Sequence, residues 1–249
     1  MNTSKQILDY WNRRDIESMY DKYLLNLEIQ LIRKRIPADS KILDAGCGEG
    51  EGTIVYSEIP NSIVHAADFS STRLEMAKKR LAHGSNVFLF HVDFLGTYKL
   101  DFDYDVIISQ RFFINLMKWE LQQKVMSDLM NHLKCGGLFL ILEGSIDGVN
   151  ELNKVRELFK LQPIPVKWHN HFFVDKQLET FLDSKNFEIV EKVGMGEYFF
   201  LTRAIRPFFE KDLNWNTEFN RISSSINVRS ILKIRDRFSR LKLWVAKKC

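Results

Sequence analysis

Cysteine, proline and long apolar runs are all in short supply in this sequence. The three cysteines, Cys47, Cys135 and Cys249, lie far apart, are odd in number and form no CxxC pair, so neither a disulfide framework nor a zinc cluster follows from them. With only 5 prolines and 12 glycines in 249 residues there is no Pro/Gly/Ser-rich linker, and no internal repeat, so a second independent domain is not expected. The longest apolar run, Leu138 to Leu142, is five residues, against the ~20 that a membrane span requires. The opening MNTSKQILDYW lacks a basic segment followed by an apolar one, and the expected location is the cytosol. What is present is ordinary for a globular protein: 45% hydrophobic and 27% charged residues, enough for a sizeable core, which excludes a disordered or fibrous chain.

The net charge of +4 conceals an asymmetry. Residues 202 to 249 carry 12 Lys and Arg against 4 Asp and Glu, a net of +8, and residues 1 to 201 carry 24 against 28, a net of −4. A basic ending of this kind suits a solvated helical face, or a meeting with an anionic substrate, a nucleic acid or a membrane surface.

From Lys41 onward, runs rich in Ile, Val, Leu and Phe alternate with segments of helical period, the pattern of a parallel sheet covered by helices. Strands are expected at about 41 to 45, 62 to 67, 86 to 91, 104 to 109 and 137 to 143, with helices at 50 to 58, 71 to 82 and 118 to 133. The last of these helices is expected to stop at Cys135-Gly136-Gly137, where glycine can turn left-handed. Ahead of the sheet, 4 to 12 and 15 to 35 read as helices, the second carrying Ile16, Met19, Tyr23, Leu27 and Leu31 at helical spacing up to Pro37. After it come helices near 150 to 160, 174 to 184, 197 to 209 and 216 to 232, and strands near 187 to 193 and 240 to 246.

The sharpest local signal is KILDAGCGEGEG, an apolar strand ending in Asp44 and running into Gly46, Gly48, Gly50 and Gly52. Glycine serves where a strand must turn sharply and let a ligand approach bare backbone, and the following helix offers unpaired N–H groups. A nicotinamide fingerprint would need Gly or Ala where Glu51 stands, and a Walker loop needs a Gly-Lys pair that the segment lacks. Two more acids end the next strands: Asp68 in VHAADFS, 18 residues past Gly50, and Asp93 in FLFHVDF. An acid some 20 residues past a glycine loop can accept from both ribose hydroxyls, and one on the third strand can accept from an adenine amino group; either can also simply cap the next helix.

LDAGCGEG, AADFS, HVDF, FDYDVIIS and LKCGGLFLILEG, in that order over residues 38 to 143, resemble the motif set of class I S-adenosylmethionine-dependent methyltransferases. The resemblance implies an α/β fold: a Rossmann-like, seven-stranded, mostly parallel sheet with an antiparallel last strand and helices on both faces. It would be one domain over 1–249, with a helical N-terminal cap at 1–37, a cofactor-binding core at 38–143, and acceptor-site insertions and last strands at 144–249. It implies S-adenosyl-L-methionine as cofactor. Asp44, Gly46, Cys47, Gly48 and Gly50 would lie against the methionine portion, Asp68 would bind the ribose diol, and Phe69 would pack on the sugar or base. Asp93 and Phe94 would hold the adenine, and Ser109 and Gln110 would lie under the reacting sulfur. Apart from the resemblance, Tyr10, Trp11, Arg14, Tyr20 and Tyr23 of the helical preface could form a lid, with Arg14 meeting the methionine carboxylate, although amphipathic packing explains the aromatics equally well.

Methyl transfer chiefly requires an acceptor lone pair oriented along the S–C axis and exclusion of water, while a hydroxyl acceptor gains ~10² to 10⁴ in rate from a general base. The candidates at the reacting end are Arg111, able to clamp phosphate or carboxylate, Glu143 ending the fifth strand, and His169 as a base. Asn115, Trp168, Asn170 and Tyr198 are candidates for holding the acceptor, although Trp168 may equally be core and His169 a structural histidine. The two histidines of KWHNHF have no acid at a recognisable ligand spacing, so no metal is expected. The fourth strand ends in SQRF rather than the D/N-P-P-Y/F/W of enzymes that methylate nucleic-acid amino groups, making nucleic acid a poor fit. The stretches RFFINLMKWELQQ, LNKVRELFKLQPIPVKWHNHFF and FSRLKLWVAKK resemble a bacterial subgroup associated with surface-polysaccharide modification. That resemblance implies O-methylation of a sugar, a nucleotide-linked sugar or a phosphorus-containing precursor, a small acceptor that is anionic in the last two cases. A non-catalytic sensor of the same cofactor, or an N- or RNA methyltransferase, are the alternatives.

Overall fold

The strands form where the apolar runs stand: β1 (Lys41–Ala45), β2 (Ile63–Asp68), β3 (Val87–His91), β4 (Tyr104–Gln110), β5 (Leu133–Gly144), β6 (Phe187–Gly194) and β7 (Leu241–Lys248). In the computed structural model, which describes residues 3–82, 84–100, 102–211 and 214–249, they pair in the order β3-β2-β1-β4-β5-β7-β6. β7 runs antiparallel to both β5 and β6, and the remaining pairs are parallel. The expected seven-stranded, mostly parallel sheet is thus what the chain builds.

Side chains alternate across a strand, so each run feeds two layers. Ile42, Val106, Ile108, Leu140, Leu142 and Leu243 face one cluster, completed by α2 (Lys22–Arg33) and α6 (Ile146–Leu158). Leu43, Ile107, Phe139, Ile141 and Trp244 face the other, completed by α5 (Trp119–Asn131) and α7 (Asp175–Ser184). Both faces of the sheet are therefore buried, which is why its strands read as continuous apolar runs. The chain leaves β1 towards β2 and β3 on one side and continues as β4 and β5 on the other. A crevice opens at the carboxyl ends of β1 and β4, where open α/β sheets bind ligands.

Several expected boundaries move, each for a local reason. The helix expected over 15 to 35 begins only at Lys22, because the Asp21 carboxylate accepts from Leu24 N at 3.1 Å and caps α2 there. The helix α1 (Thr3–Trp11) stands apart from it. Gly136 does not end α5, which stops at Asn131. With φ +77° it lies inside β5, where the register against β4 shifts between Tyr104 and Val106. Residues 197 to 209 form one short helix, Gly196–Phe200, then a wide turn over Leu201–Ile205 and a tight one over Arg206–Phe208 containing Pro207. The helix expected over 216 to 232 divides into Glu218–Ser223 and Ile226–Leu232, each with its own hydroxyl cap, Thr217 and Ser225. No helix among the described residues is long and apolar enough to cross a membrane.

Candidate active site

β1 delivers Asp44 to the crevice and the chain turns at once. Gly46 and Cys47 both donate their N–H to Ala67 O, at 2.8 and 3.0 Å, which binds the loop to the end of β2. Gly46, Gly48 and Gly50 all have positive φ, and Gly50 begins α3 (Glu51–Tyr56). A Cβ on Gly46 would stand 2.7 Å from the Phe112 ring, whereas one on Gly48 would meet no atom within 4 Å. The loop is packed from below at Gly46 and bare above at Gly48.

Asp68 at the end of β2 holds this surface open from the other side. Its Oδ2 accepts Gly48 N at 2.9 Å and its Oδ1 accepts Ser70 N at 2.8 Å, leaving lone pairs on both oxygens. Burial raises its pKa against those bonds. Asp44 is buried, accepts the Thr53 hydroxyl at 2.6 Å and is pushed up to about 6 by desolvation. Burial also pushes the Cys47 thiol up, so it is no nucleophile. Asp93 turns one oxygen to Leu95 N at 2.9 Å and stays exposed beside buried Phe94. These side chains, with Phe69 and Gln110, line a cavity of about 540 Å³.

The roof of this cavity is the N-terminal segment, with Ile7, Leu8 and Trp11 of α1 facing it. Trp11 Nε1 donates to Asn115 Oδ1 at 3.1 Å. The residue that binds the segment down is Arg73, on α4 (Ser71–Arg80), 2% exposed. Its guanidinium donates to Trp11 O at 2.9 Å, Ile16 O at 2.7 Å, Arg13 O at 3.2 Å and the Glu49 carboxylate of the glycine loop. Nothing in the charged run STRLEMAKKR marks it out. Arg14, the arginine expected to reach the cavity, instead points outward and pairs with Glu75 at 2.8 Å, both well exposed.

Three other expected site residues are turned away from the crevice. Glu143 is fully buried and accepts four hydrogen bonds, from the Ser109 hydroxyl and from the N–H groups of Phe112, Phe113 and Ile114. Desolvation nevertheless pushes it up to about 7. It fixes the loop after β4 and is not placed to touch an acceptor, and Ser109 is consumed in the same contact. Tyr198 is buried with its hydroxyl donating to Asp21 at 2.6 Å, in the core beneath α2. Gln110, by contrast, lines the cavity, accepting from Tyr56 at 2.9 Å and donating to Glu28 at 2.9 Å.

The loop that Glu143 fixes presents Arg111, whose φ of +55° is unusual for a side chain with a Cβ. Its Nε donates to the buried Glu28 at 3.0 Å and its Nη1 to Ser18 O at 2.9 Å. With Trp11 and Ser18, Arg111 lines both the first cavity and a second, of about 680 Å³, on the other side of the roof segment. His169 and Asn170 line this second cavity. His169 is buried, its ring 4.4 Å from that of Tyr10, its Nδ1 has no hydrogen-bond partner among the described residues, and burial beside Lys167 lowers it to about 4. Trp168 is 57% exposed and meets Tyr10 edge-on at 5.8 Å, so it is neither core nor part of the lining.

Comparison with known proteins agrees with this geometry. Residues 42–137 match a family model described as a methyltransferase domain. A demethylmenaquinone methyltransferase of Staphylococcus aureus is 30% identical over 210 residues, covering 78% of this chain and 86% of the relative. That of Staphylococcus haemolyticus is 26% identical over 197 residues, covering 75% and 81%. Among solved structures, the magnesium protoporphyrin IX methyltransferase of Synechocystis PCC 6803 with bound SAM superposes with a TM-score of 0.60 at 13% identity, over 100% of this chain and 98% of that one. The N-methyltransferase NodS of Bradyrhizobium japonicum, in complex with S-adenosyl-L-homocysteine, gives 0.59 at 16% identity over 78% and 90%. At those identities the structural likeness is one of fold.

Proposed function

The chain belongs to the S-adenosylmethionine-dependent methyltransferases, and we propose that it methylates an oxygen of a small acceptor of the sugar or sugar-nucleotide class, seated in the second cavity. The observation that carries this reading is that the two cavities adjoin, sharing Trp11, Ser18 and Arg111. S-adenosylmethionine supplies an electrophilic methyl group. The bare face of Gly48 and the Asp68 carboxylate fit its nucleoside, and Asp44 fits its amino-acid end. The chain's own part is to hold the acceptor's oxygen near the shared wall and to exclude water, work that the roof segment and its Arg73 tie are built for.

Oxygen is favoured by His169. An alcohol must lose its proton as it attacks, and the His169 imidazole, which lines the second cavity and stays neutral at pH 7, is the base available there to accept it. A sugar is favoured by the mixed lining of Trp215, Tyr10, Asn170, Gln162 and Thr202, aromatic faces beside amide and hydroxyl groups. The resemblance of the flanking segments to methyltransferases of surface-polysaccharide modification points the same way.

The test is transfer of labelled methyl to a panel of sugar nucleotides, sugar phosphates and free sugars, with demethylmenaquinone alongside because it names the relatives' activity. Label in a methyl ether of a sugar, reduced ~10²-fold or more in His169→Gln, is the expected result. Label in demethylmenaquinone alone would refute the acceptor assignment.

A further inference from the structure

The second cavity is unusually cationic. Three of the guanidinium groups lining it are matched by carboxylates: Arg111 by Glu28 at 3.0 Å, Arg203 by Asp21 at 2.8 Å and Arg206 by Glu210 at 2.6 Å. Arg156, Lys167, Lys211 and Arg240 also line it and have no ion pair among the described residues. Of the lining carboxylates, Asp21 and Glu210 are used in those pairs and Glu17 turns to Lys22 at 3.3 Å. Four positive charges therefore line one cleft without a counter-charge among the described residues.

The two arginines among them, Arg156 and Arg240, are not a solvated fringe. The Arg240 side chain lies 5.3 Å from the Phe172 ring, and burial together with the neighbouring Arg203 lowers it to about 10. Lys167 is lowered by burial and by Arg240 and Arg111, and Arg156 by burial and Arg203. Arg240 and Arg156 are thus half-buried close to the like charge of Arg203, at a cost that a bound anion would recover, while Lys167 and Lys211 line the same cavity from exposed positions. Arg156 is fixed besides, donating to Gln162 O at 2.8 Å and to Arg203 O, so its fork is already oriented. A monocarboxylate would answer one charge. A phosphate or diphosphate ester answers two or three and accepts the paired N–H donors that arginine offers.

We propose that Arg240, Lys167 and Arg156 form a phosphoryl subsite in the acceptor cavity, so that the acceptor is a phosphorylated or nucleotide-linked sugar. This deepens the preceding assignment and rests on the second cavity being the acceptor site. The Arg203 guanidinium stacked 3.8 Å from the Trp215 ring lines the same cavity and supplies a flat face for a sugar or base next to the phosphoryl group.

The test uses the full chain saturated with S-adenosyl-L-homocysteine, titrated by calorimetry at fixed ionic strength with inorganic pyrophosphate, glucose 1-phosphate and uridine diphosphate. Saturable binding of at least one probe, weakened tenfold or more in Arg240→Met and in Lys167→Met but restored in part by Arg240→Lys, is expected. Lys247→Met, at an exposed position on β7, serves as the control for bulk charge. Uridine diphosphate binding much more tightly than pyrophosphate identifies a nucleotide-linked acceptor, and glucose 1-phosphate doing so identifies a sugar phosphate. No saturable binding of any probe, or an equal loss in Lys247→Met, overturns the subsite. Affinity for S-adenosyl-L-homocysteine, measured on the same samples, reads the donor site separately: its absence would refute the methyltransferase reading, whereas its retention with no anion bound would refute only the subsite.

Discussion

The three left-handed glycines of the loop after β1 make a prediction that separates fold from ligand. A side chain in the left-handed region costs ~1–2 kcal/mol, whichever glycine is replaced. That cost is present with and without ligand, so it lowers stability and cancels from the binding free energy. What differs is the space each Cβ would enter. In Gly48→Ala it meets no protein atom within 4 Å, so the fold should lose only the backbone cost, a few degrees in Tm for a chain of this size. In Gly50→Ala it meets Leu81 Cδ1 at 3.1 Å and Ala77 Cβ at 3.3 Å, and in Gly46→Ala the Phe112 ring at 2.7 Å, so both lose packing as well.

If the methyl donor lies over Gly48, the order reverses for binding. The alanine methyl would then share space with the ligand, and displacing it by a few tenths of an ångström should cost at least ~1.4 kcal/mol, a tenfold rise in Kd for S-adenosyl-L-homocysteine. Calorimetric titration and thermal unfolding on the same preparations give both quantities. Gly48→Ala binding within threefold of wild type, or affinity losses that merely follow the stability losses, would mean that the donor does not approach this backbone.

Glu143→Gln tests whether that carboxyl is a pillar of the loop rather than an acceptor base. A carboxyl raised from 4.5 to about 7 on folding contributes stability that is complete below pH ~4.5 and lost as pH rises through about 7, so wild type should lose about 2–3 kcal/mol between pH 5 and pH 8 that the amide variant does not. Urea unfolding at the two pH values reads the difference, and parallel pH dependence in both proteins would contradict it. Asp44, raised to about 6, should tighten S-adenosyl-L-homocysteine binding as pH climbs from 5 to 7.5 if it faces the ligand's ammonium group; an equal profile in Asp44→Asn would exclude that contact. Arg73→Met leaves three carbonyls without their donor and Glu49 with Arg80 alone, at 3.8 Å, a loss of roughly 3–5 kcal/mol. Hydrogen exchange over residues 3 to 16 should accelerate far more than over β4 and β5, and uniform acceleration would show that Arg73 does not bind the roof.

The sheet was readable because a strand buried on both faces announces itself as an unbroken apolar run, and the carboxyl-edge acids Asp44, Asp68 and Asp93 because each stands where such a run ends. Sequence position fails one step later, at the direction in which a strand-end side chain points. Asp44 and Glu143 end β1 and β5 in similar contexts, yet one lines the donor cavity and the other turns to Ser109 and to the three N–H groups after β4. Tyr198 could not be assigned from its own helix, because its partner Asp21 is 177 residues away. The cationic cavity was legible only as a basic ending: Arg203, Arg206, Lys211 and Arg240 belong to it, but Arg111, Arg156 and Lys167 come from elsewhere in the chain and the carboxylates that neutralise three of the seven are scattered.

The break between α1 and α2 follows a related logic. A continuous helix from residue 4 to residue 33 would have used its own carbonyls internally. Instead Asp21 starts α2 late, and residues 12 to 21 leave carbonyls that need partners in a half-buried place, where an unmet one costs ~1–3 kcal/mol. Arg73, from beyond β2, takes those of Arg13 and Ile16 together with that of Trp11; Arg111, from beyond β4, takes that of Ser18. The two arginines arrive from the two halves of the sheet, on either side of the crevice between β1 and β4, and the segment they hold is the wall that the two cavities share. The irregular stretch is therefore what makes the tie possible: a helix there would close its own hydrogen bonds and leave neither arginine anything to grip.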